Sequence, residues 1–466
     1  MDLFLQYLSN CNEFLYSKFL IIVLIAVGVY FTIRTGFVQI RYFPESLKVV
    51  REKSEEEGSI SSFQALMIAT ASRVGTGNIA GVSTAIVLGG PGALFWMWVM
   101  AIIGSASAFI ESTLAQVYKE ENGKTFKGGP AYYIQRALGM RWLGIIFSIL
   151  LILTFAFGFN GLQAFNIASA FEYYVPGFAD TKVPMIIGII LAVAAGVLFF
   201  GGTQKIGRVS SVLVPIMAGL YVIMGAGIFI MNIDQVPAAF GQVFANAFDF
   251  QTIFGGFAGS CIVLGIKRGL FSNEAGMGSA PNAAAAASVS HPAKQGMVQV
   301  LSVFIDTLLL CSTTAFIVLL TGQYEVGGEL NGIPLVQQSV LVVFGEWGIH
   351  FMTIAICLFA FTSLIGNYFY AESNINFISK NKIFLFLFRI AAVIMIFVGA
   401  QANLQTAWDL ADVLMGGMAT VNIIAILALG GIACRVLKDY QKQKAQGLDP
   451  VFKASDVGIH NTDLWK

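Results

Sequence analysis

Apolar stretches close to the length needed to cross a bilayer recur eleven times along this sequence of 466 residues. A hydrocarbon core about 30 Å thick is crossed by about 20 residues of α-helix. Because lipid offers the backbone no hydrogen-bond partner, only helices and closed barrels can span it. The pattern predicts an all-α polytopic membrane protein with 11 transmembrane helices. The predicted spans are a leading helix, Lys18 to Thr35, and ten core helices: Ser62 to Gly89, Gly92 to Tyr118, Trp142 to Phe171, Val183 to Phe200, Val209 to Met231, Thr252 to Ser288, Gly296 to Leu320, Ile349 to Ile378, Ile383 to Ala400 and Leu404 to Leu437.

The amino-acid composition favours the same class. Hydrophobic residues make up 57% of the chain and charged residues 11%, whereas soluble domains carry about 25% charged residues. The net charge of +1 gives no basis for a nucleic-acid partner. The five cysteines are scattered and show neither metal-ligand nor disulfide spacing. Membrane lipid is the predicted surrounding, and no obligatory protein partner is evident.

Two of the predicted core helices are interrupted by clusters of glycine and polar residues. Ala69 to Gly92 reads ATASRVGTGNIAGVSTAIVLGGPG, and Gly265 to Pro281 reads GIKRGLFSNEAGMGSAP. Glycine in a helix interior costs about 1 kcal/mol relative to alanine, and unwound backbone at membrane depth is tolerated where it faces protein or a polar cavity. Paired interruptions are typical of the binding site of a secondary transporter. The alternative is that these glycines only let helices pack closely.

The interruptions fall in the first and sixth core helices, one at the head of each group of five. This arrangement predicts two repeats of inverted topology, at about 62–231 and about 252–437. They form a predicted transporter core at 62–440. A leading helix with a cytoplasmic amphipathic connection precedes it at 1–61, and a cytoplasmic tail follows at 441–466.

Lysine and arginine are concentrated in alternate connections between the spans. One side carries clusters such as the five basic residues from Arg34 to Lys53, while the other holds only Lys18 and Lys182. Basic loops remain on the cytoplasmic side of a membrane. The N-terminus is therefore predicted outside and the C-terminus inside the cytoplasmic membrane.

Enzyme chemistry finds little support in the sequence. The three histidines, His291, His350 and His460, lie at predicted span edges or in the tail and form no paired-ligand spacing. The segment GTGNIAG is a poor dinucleotide loop, because its third glycine is misplaced and no strand precedes it. No enzyme activity is predicted.

A polar stripe runs along the third core helix. Asn160, Gln163 and Asn166 recur every three residues and so share about a third of its circumference. Polar side chains inside spans are expected to face the bundle interior or water. These three either bind a polar substrate or join helices by hydrogen bonds.

A lone carboxylate, Asp306, lies in the seventh core helix. It is either a cation ligand or the ion-pair partner of a basic residue, with Arg73, Lys267 and Arg268 as candidates. The alternative function is a proton-coupled carrier of another small solute, in which Asp306 exchanges the coupling proton. Glu274 is expected to pair with Lys267 or Arg268 instead of binding substrate.

Two further carboxylates, Asp409 and Asp412, lie about one turn apart near the external start of the tenth core helix. We expect one of them to bridge to a neighbour when the outer side of the cavity closes. The alternative is that both are solvated acids at a helix end. Arg73 precedes the first interruption on its cytoplasmic side, which favours a place near an inner gate.

The interrupted segments also carry a resemblance to a known family. GTGNIAGVSTAIVLGGPGALFWMW, GIKRGLFSNEAGMGSAPNAAAAA and the late DVLMGGMATVN resemble the alanine or glycine:cation symporter family of bacteria and archaea, the sodium/alanine symporters. The resemblance covers nearly the whole chain. It implies a leucine-transporter-type fold of 5+5 inverted repeats with one extra N-terminal helix. It also implies sodium-coupled uptake of small neutral amino acids such as alanine and glycine, with a sodium ion as cofactor.

A zwitterionic substrate needs donors for its carboxylate and acceptors for its ammonium, which half-helix ends supply. The predicted carboxylate donors are Thr76, Gly77 and Asn78, at the start of the second half of the first core helix. The ammonium is predicted to lie among Phe271, Ser272 and Asn273. The wall of the pocket is predicted to consist of Gly276, Met277 and Gly278. The third core helix is predicted to close the pocket with Phe159 and Gln163. The crowd of small residues favours alanine and glycine over larger substrates.

A sodium site is predicted where carbonyls near a helix interruption lack an amide partner one turn on. Ala71 and Val74 supply such carbonyls, and the eighth core helix brings the Phe359 carbonyl and the adjacent hydroxyls of Thr362 and Ser363. This set resembles the sodium site shared by transporters of the leucine-transporter fold. The alternative is that both hydroxyls bond back to carbonyls of their own helix.

Overall fold

The computed structural model describes residues 6, 10–54, 59–123, 125–201, 203–248, 260–402 and 404–465. The predicted start of the sixth core helix and of the second repeat, 252–259, lies outside the described residues. Parts of the predicted leading segment, 1–5, 7–9 and 55–58, lie outside them as well.

Helices account for most of the described chain. The first half forms twelve α-helices: α1 (Leu20–Arg34), α2 (Val38–Arg41), α3 (Phe43–Val49), α4 (Ser62–Arg73), α5 (Ala80–Gly89), α6 (Gly92–Val117), α7 (Pro130–Leu138), α8 (Arg141–Ile152), α9 (Asn160–Ser169), α10 (Val183–Phe199), α11 (Thr203–Met231) and α12 (Val236–Ala247). Among its described residues the second half forms seven: α13 (Cys261–Asn273), α14 (Pro281–Ala286), α15 (Pro292–Val303), α16 (Ser312–Thr321), α17 (Gly332–Ile378), α18 (Lys382–Gly399) and α19 (Leu404–Ala445). A short antiparallel hairpin, β1 (Glu120–Asn122) and β2 (Thr125–Lys127), follows α6.

Two helical runs change their winding in the middle. α8 passes into α9 through a π-helical stretch at Leu153–Phe159, and α15 passes into α16 through another at Phe304–Cys311. α17 also contains a kink, because Gly345 has non-helical backbone angles with φ 66° and ψ −159°. Wider windings of this kind are often found at functional sites.

Seven of the described helical segments are long and apolar enough to cross a membrane: Gly92–Val117, Arg141–Tyr174, Ile206–Met231, Pro292–Thr321, Gly332–Ile378, Lys382–Gly399 and Ala407–Ala445. Three shorter apolar segments accompany them: Leu20–Arg34, Thr76–Gly89 and Val183–Phe199. The prediction of a helical membrane protein is confirmed. The count of eleven spans stays a prediction, because four of the predicted spans are represented by short or interrupted helices.

Both predicted interruptions are confirmed. α4 ends at Arg73, and a single 3₁₀ turn at Thr76–Asn78 precedes α5. α13 ends at Asn273, where Glu274 adopts the left-handed conformation with φ 55°, and α14 begins at Pro281. In both places glycine and polar residues stand where the helical ladder stops, as their weak helix propensity predicts.

The interrupted helices lie inside the helical bundle. α4 packs against α11, α17 and α15, while α13 packs against α5 and α6. Every residue from Thr76 to Asn78 is buried, with at most 1% of the side chains of Thr76 and Asn78 exposed. The unwound backbone therefore faces protein, as the absence of water in a bilayer requires.

Main-chain pairing joins the start of one interrupted helix to the end of the other. Ile60, just before α4, forms a parallel bridge with Ala287, just after α14, and the Ser288 amide donates to the Ile60 carbonyl at 2.9 Å. The chain after α19 packs onto the same region: the Phe452 amide donates to the Ser290 carbonyl at 3.0 Å.

Candidate functional site

The first interruption places its unwound residues against the third core helix. The Gly75 amide donates to Asn78 Oδ1 at 3.2 Å, so the asparagine side chain holds its own turn. Gln163 Oε1 accepts two hydrogen bonds from Thr76, one from the backbone amide at 3.1 Å and one from the hydroxyl at 2.8 Å. The structure thus brings Gln163, Thr76 and Asn78 together at one turn.

The predicted polar stripe forms contacts between helices on both sides of Gln163. Asn166 Nδ2 donates to Thr76 Oγ1 at 2.9 Å, and Asn160 Oδ1 accepts from Asn367 Nδ2 at 3.0 Å. All three stripe residues are buried. Hydrogen bonding between helices is therefore one role of the stripe, and Gln163 fixes the unwound turn itself.

Aromatic rings close one side of this turn. The ring centroids of Phe159 and Phe271 lie 4.6 Å apart, and those of Phe271 and Trp408 lie 5.0 Å apart. A Cβ atom on Gly77 would lie 2.5 Å from the Phe271 ring, so only glycine fits there. The structure brings Gly77, Phe159 and Phe271 together as predicted residues and adds Trp408, which no local pattern in the sequence singles out.

Asp306 joins the two interruptions. Its carboxylate accepts hydrogen bonds from Asn78 Nδ2 at 2.7 Å, Ser272 Oγ at 2.6 Å and Thr307 Oγ1 at 2.9 Å. Asn78 belongs to the first interruption and Ser272 to the end of α13 before the second. Within the described part of the chain, no lysine or arginine forms an ion pair with Asp306, which argues against the basic-partner interpretation.

The second interruption is held by Asn273 and by a buried glutamate that the sequence analysis did not single out. Asn273 Oδ1 accepts from the Ala275 amide at 3.0 Å. The amides of Gly276 and Gly278 donate to the two carboxylate oxygens of Glu111 at 3.2 and 3.0 Å. The signal for Glu111 was present, since it is a lone carboxylate inside the apolar run of the second core helix.

The glycines of this segment are required by the backbone. Gly276 and Gly278 have φ values of 83° and 86°, a conformation that side chains other than glycine rarely adopt. Met277 between them is fully buried. Gly276 and Gly278 both donate to Glu111, and the Asn422 side chain donates to Glu111 Oε2 at 2.7 Å.

The predicted sodium ligands come together in part. In a continuous helix the Ala71 carbonyl would accept from the Gly75 amide, but that amide donates to the Arg73 carbonyl instead, at 2.9 Å. Ser363 Oγ donates to the freed Ala71 carbonyl at 3.0 Å and to the Phe359 carbonyl at 3.1 Å. Three oxygens from two helices therefore meet, and oxygen ligands are those that hard cations prefer.

The other two predicted ligands lie at the margin of this group. Thr362 Oγ1 donates to the Phe359 carbonyl at 2.9 Å and contacts Met217 Sδ at 3.5 Å. The Val74 amide donates to the Thr70 carbonyl at 2.7 Å, while its backbone leaves the helix with ψ 78°. Thr362 and Ser363 both bond back to their own helix, as the alternative interpretation anticipated.

The prediction for Glu274 is wrong. Its carboxylate accepts from Ser72 Oγ at 2.9 Å and from Ser279 Oγ at 2.7 Å, so it links the two interruptions. Lys267 and Arg268 instead reach Asp412 Oδ2, each at 2.7 Å. Glu274 lies just beyond the last residue of α13 in the left-handed conformation, with φ 55°, so the helical spacing from Lys267 and Arg268 does not set its direction.

Asp412, in the tenth core helix, anchors a buried charge network with Lys267 and Arg268 of α13. It is fully buried, and the Arg268 guanidinium lies 4.0 Å from the Trp408 ring centroid. Asp409 Oδ1 accepts from Asn12 Nδ2 at 2.9 Å. Asp412 is therefore not a solvated acid at a helix end, and its gating role stays a prediction.

A cavity of about 690 Å³ lies between the end of α9 and the start of α17. Polar residues in its lining are Asn166, Ser169, Glu172, Thr181, Glu329, Asn331 and Gln401. Asn166 belongs to both the cavity lining and the candidate site, because its side-chain amide donates to Thr76 Oγ1. The cavity therefore ends one hydrogen bond away from the unwound turn.

Buried interrupted helices with a carboxylate shared between them are typical of polytopic helical membrane transport proteins, a class distinct from enzymes. A profile of the sodium:alanine symporter family matches residues 1–454. The chain belongs to that family.

Named relatives cover nearly all of the chain. The amino-acid carrier protein AlsT of Bacillus subtilis is 48% identical over 100% of this chain and 99% of its own length. The probable sodium/glutamine symporter GlnT of the same organism is 46% identical over 97% of this chain and 93% of its own. Its putative sodium/proton-dependent alanine carrier protein YrbD is 40% identical over 99% and 97%.

Solved structures of a distant protein share the fold. A mutant of the Eremococcus coleocola manganese transporter superposes with a TM-score of 0.51 at 15% identity, covering 84% of this chain and 81% of that one. At such low identity the likeness concerns the fold alone.

Proposed function

We propose that the protein is a sodium-coupled symporter that imports small neutral amino acids, alanine and glycine, across the cytoplasmic membrane by alternating access. The observation that carries the proposal is the meeting of the two interruptions at Asp306, which accepts from Asn78 of one and Ser272 of the other. Interrupted helices that meet inside a bundle offer the backbone donors and acceptors that a zwitterion and a cation need. Family membership supports the amino-acid substrate class.

The substrate carboxylate lies at the start of α5, against Thr76, Gly77 and Asn78, where the helix dipole is positive. The ammonium lies at the end of α13, among Phe271, Ser272 and Asn273, where the dipole is negative. Gln163 and Phe159 close the pocket, and Gly276, Met277 and Gly278 form its remaining wall. The Phe271 ring approaches Gly77 closely, which restricts the substrate to amino acids with a small side chain.

Sodium binds where the freed Ala71 carbonyl meets Phe359 and Ser363. Rotation of the Thr362 and Ser363 hydroxyls away from their present carbonyl acceptors turns their lone pairs toward an ion. The Val74 carbonyl, at the edge of the interruption, completes the ligand set. One positive charge moving inward gains about 2.3 kcal/mol per 100 mV of membrane potential, which helps to drive uphill uptake.

The proposed architecture is a leucine-transporter-type pair of five-helix repeats with one leading helix. The first repeat opens with α4 and α5 and the second with α13 and α14. Eleven spans, an external N-terminus and a cytoplasmic C-terminus follow from the distribution of basic residues.

Uptake by purified protein in liposomes tests the function. We expect concentrative alanine and glycine uptake when sodium is outside, and none when choline replaces sodium. Glutamine, suggested by the name of one relative, and leucine complete the substrate panel. Alanine uptake that does not depend on the sodium gradient would contradict sodium coupling. Faster uptake of leucine than of alanine would contradict a small substrate pocket.

Proton coupling is the second candidate, because Asp306 is buried among neutral donors with no basic partner among the described residues. The name of one relative, a putative sodium/proton-dependent carrier, points the same way. Uptake driven by a pH gradient without sodium, and lost in Asp306→Asn, would favour it over sodium coupling.

A further inference from the structure

Arg73 is a buried cation with unused hydrogen-bond donors. Its side chain is 2% exposed, and Nη1 donates to Gln299 Oε1 at 3.2 Å. Among the described residues, Arg73 Nε and Nη2 and Gln299 Nε2 have no acceptor. Unpaired buried donors are unfavourable, and more so when they carry charge. The pair therefore forms a donor cluster whose chemistry fits an anionic oxygen.

Three buried carboxyl groups interact electrostatically with this cluster. The carboxylates of Glu111, Glu274 and Asp306 lie within electrostatic range of Arg73, but none forms an ion pair with it among the described residues. Glu274 is the best placed of them, because it is hydrogen-bonded to Ser72, the residue preceding Arg73 in the chain.

The cluster lies toward the predicted cytoplasmic side of the interruptions. Gln299 stands seven residues after the start of α15 at Pro292, and Glu111 stands six residues before the end of α6 at Val117. At 1.5 Å per residue both lie about 10 Å from those helix ends. Both ends border the connections whose basic residues predict a cytoplasmic location.

We propose that Arg73 and Gln299 form an inner station that receives the carboxylate of the transported amino acid on its way to the cytoplasm. This inference rests on the proposed function, since it requires a zwitterionic substrate. The ammonium of the same molecule is directed to Glu274. A zwitterion brings a positive charge for Glu274, whereas a simple anion such as chloride does not.

The Gln299→Glu variant tests the station by placing an internal carboxylate beside the guanidinium. The ion pair occupies the donors that the substrate would use. We expect folded protein, monodisperse in detergent, whose alanine uptake into liposomes falls about tenfold or more, the size of one lost charge-assisted hydrogen bond. Alanine binding from the outside in sodium should change less than about twofold, because the outer site is untouched.

The matched control is Gln295→Glu, which adds a carboxylate one turn earlier on the same buried face, where Gln295 donates to Ser62 Oγ at 2.9 Å. We expect it to retain most of the uptake. If Gln299→Glu fails to fold, Arg73→Lys takes its place, since lysine keeps the charge but lacks the planar fork of donors. It should lose uptake in the same way.

Three results would overturn the station. The first is wild-type uptake by the folded Gln299→Glu protein, and the second is an equal loss in the Gln295→Glu control. The third is uptake that stops when gluconate replaces chloride, which would identify the ligand as a halide. Absence of alanine uptake by the unmodified protein would overturn the proposed function together with the station, so the two failures are distinguishable.

Discussion

At the scale of the residue, Gln163 is the side chain that fixes the first unwound turn. Its single carbonyl oxygen accepts from both the amide and the hydroxyl of Thr76. Gln163 therefore holds the Thr76 amide and hydroxyl in fixed positions at the proposed substrate site.

Replacing Gln163 by leucine removes this acceptor and leaves two buried donors on Thr76 unpaired. We expect the KM for alanine to rise about tenfold, equivalent to 1–2 kcal/mol for one lost buried hydrogen bond. The sodium concentration for half-maximal uptake should change little, because the sodium ligands are other residues. Uptake kinetics at varied alanine and sodium measure both, with Gln323→Leu in the predicted external loop as control. An unchanged KM would remove Gln163 from the site.

His291 lies outside the membrane-spanning segments and has an unusual pKa. Nδ1 accepts from the Ala293 amide at 3.1 Å, and Nε2 lies 3.3 Å from Asp439 Oδ2. Burial lowers the pKa of His291 to about 4, although Asp439 opposes the shift. The unfolded chain, with a histidine pKa of about 6.5, therefore binds more protons than the folded protein between these values.

Stability should for this reason fall as the pH is lowered from about 6.5 toward 4. We expect the Tm of the purified protein to drop over this interval, and the drop to be smaller in His291→Gln, which has no proton to gain. Thermal unfolding at a series of pH values measures it, with His460→Gln in the exposed tail as control. Equal pH profiles for the wild type and His291→Gln would contradict a neutral buried imidazole.

Which polar residues belong to the site could be predicted from the sequence more reliably than which hydrogen-bond or ion-pair partners they have. Gln163, Asn78 and Asp306 stood out because polar side chains in apolar spans are conspicuous. The pairing of Lys267 and Arg268 with Asp412 was not predictable, since 144 residues separate Arg268 from Asp412 and only the tertiary fold brings them together. Local spacing suggested Glu274 instead and was wrong.

At the scale of the element, both interruptions were predictable because glycine and polar residues weaken a helix locally. The π-helical stretches were not, since no residue pattern distinguishes them from α-helix. One of them, Phe304–Cys311, carries Asp306. The sequence thus located the interruptions but not the winding that brings the seventh core helix to them.

The proposed sodium site depends on two elements, the interruption after α4 and the middle of α17. We expect Thr362→Ala combined with Ser363→Ala to raise the sodium concentration for half-maximal alanine uptake about tenfold, since two oxygen ligands are lost. Alanine affinity at saturating sodium should change much less. Uptake at varied sodium measures the shift, and Thr313→Ala, on the exposed side of α16, is the control. If the folded double mutant kept the sodium dependence of the wild type, the proposed site would be wrong, and Asp306 and Asn78 would be the next candidate ligands.

At the scale of the whole molecule, the predicted orientation rests on basic residues alone. Val326→Cys and Lys380→Cys, each in a background without the five native cysteines, place one thiol in a predicted external loop and one in a predicted cytoplasmic loop. Both positions are exposed. We expect a membrane-impermeant maleimide added to intact cells to label the first and spare the second. Labelling of both from one side would contradict the layout of eleven spans.

The pairing of Ile60 with Ala287 has a consequence for how such a carrier can diversify. The two interrupted helices are clamped at one end by main-chain atoms, through a bridge that does not depend on side-chain identity. Substitutions in the unwound turns can therefore alter which solute is held without loosening the clamp that keeps the turns opposite each other. Members of such a family can therefore differ in the solute that they bind while the two interruptions keep their relative position.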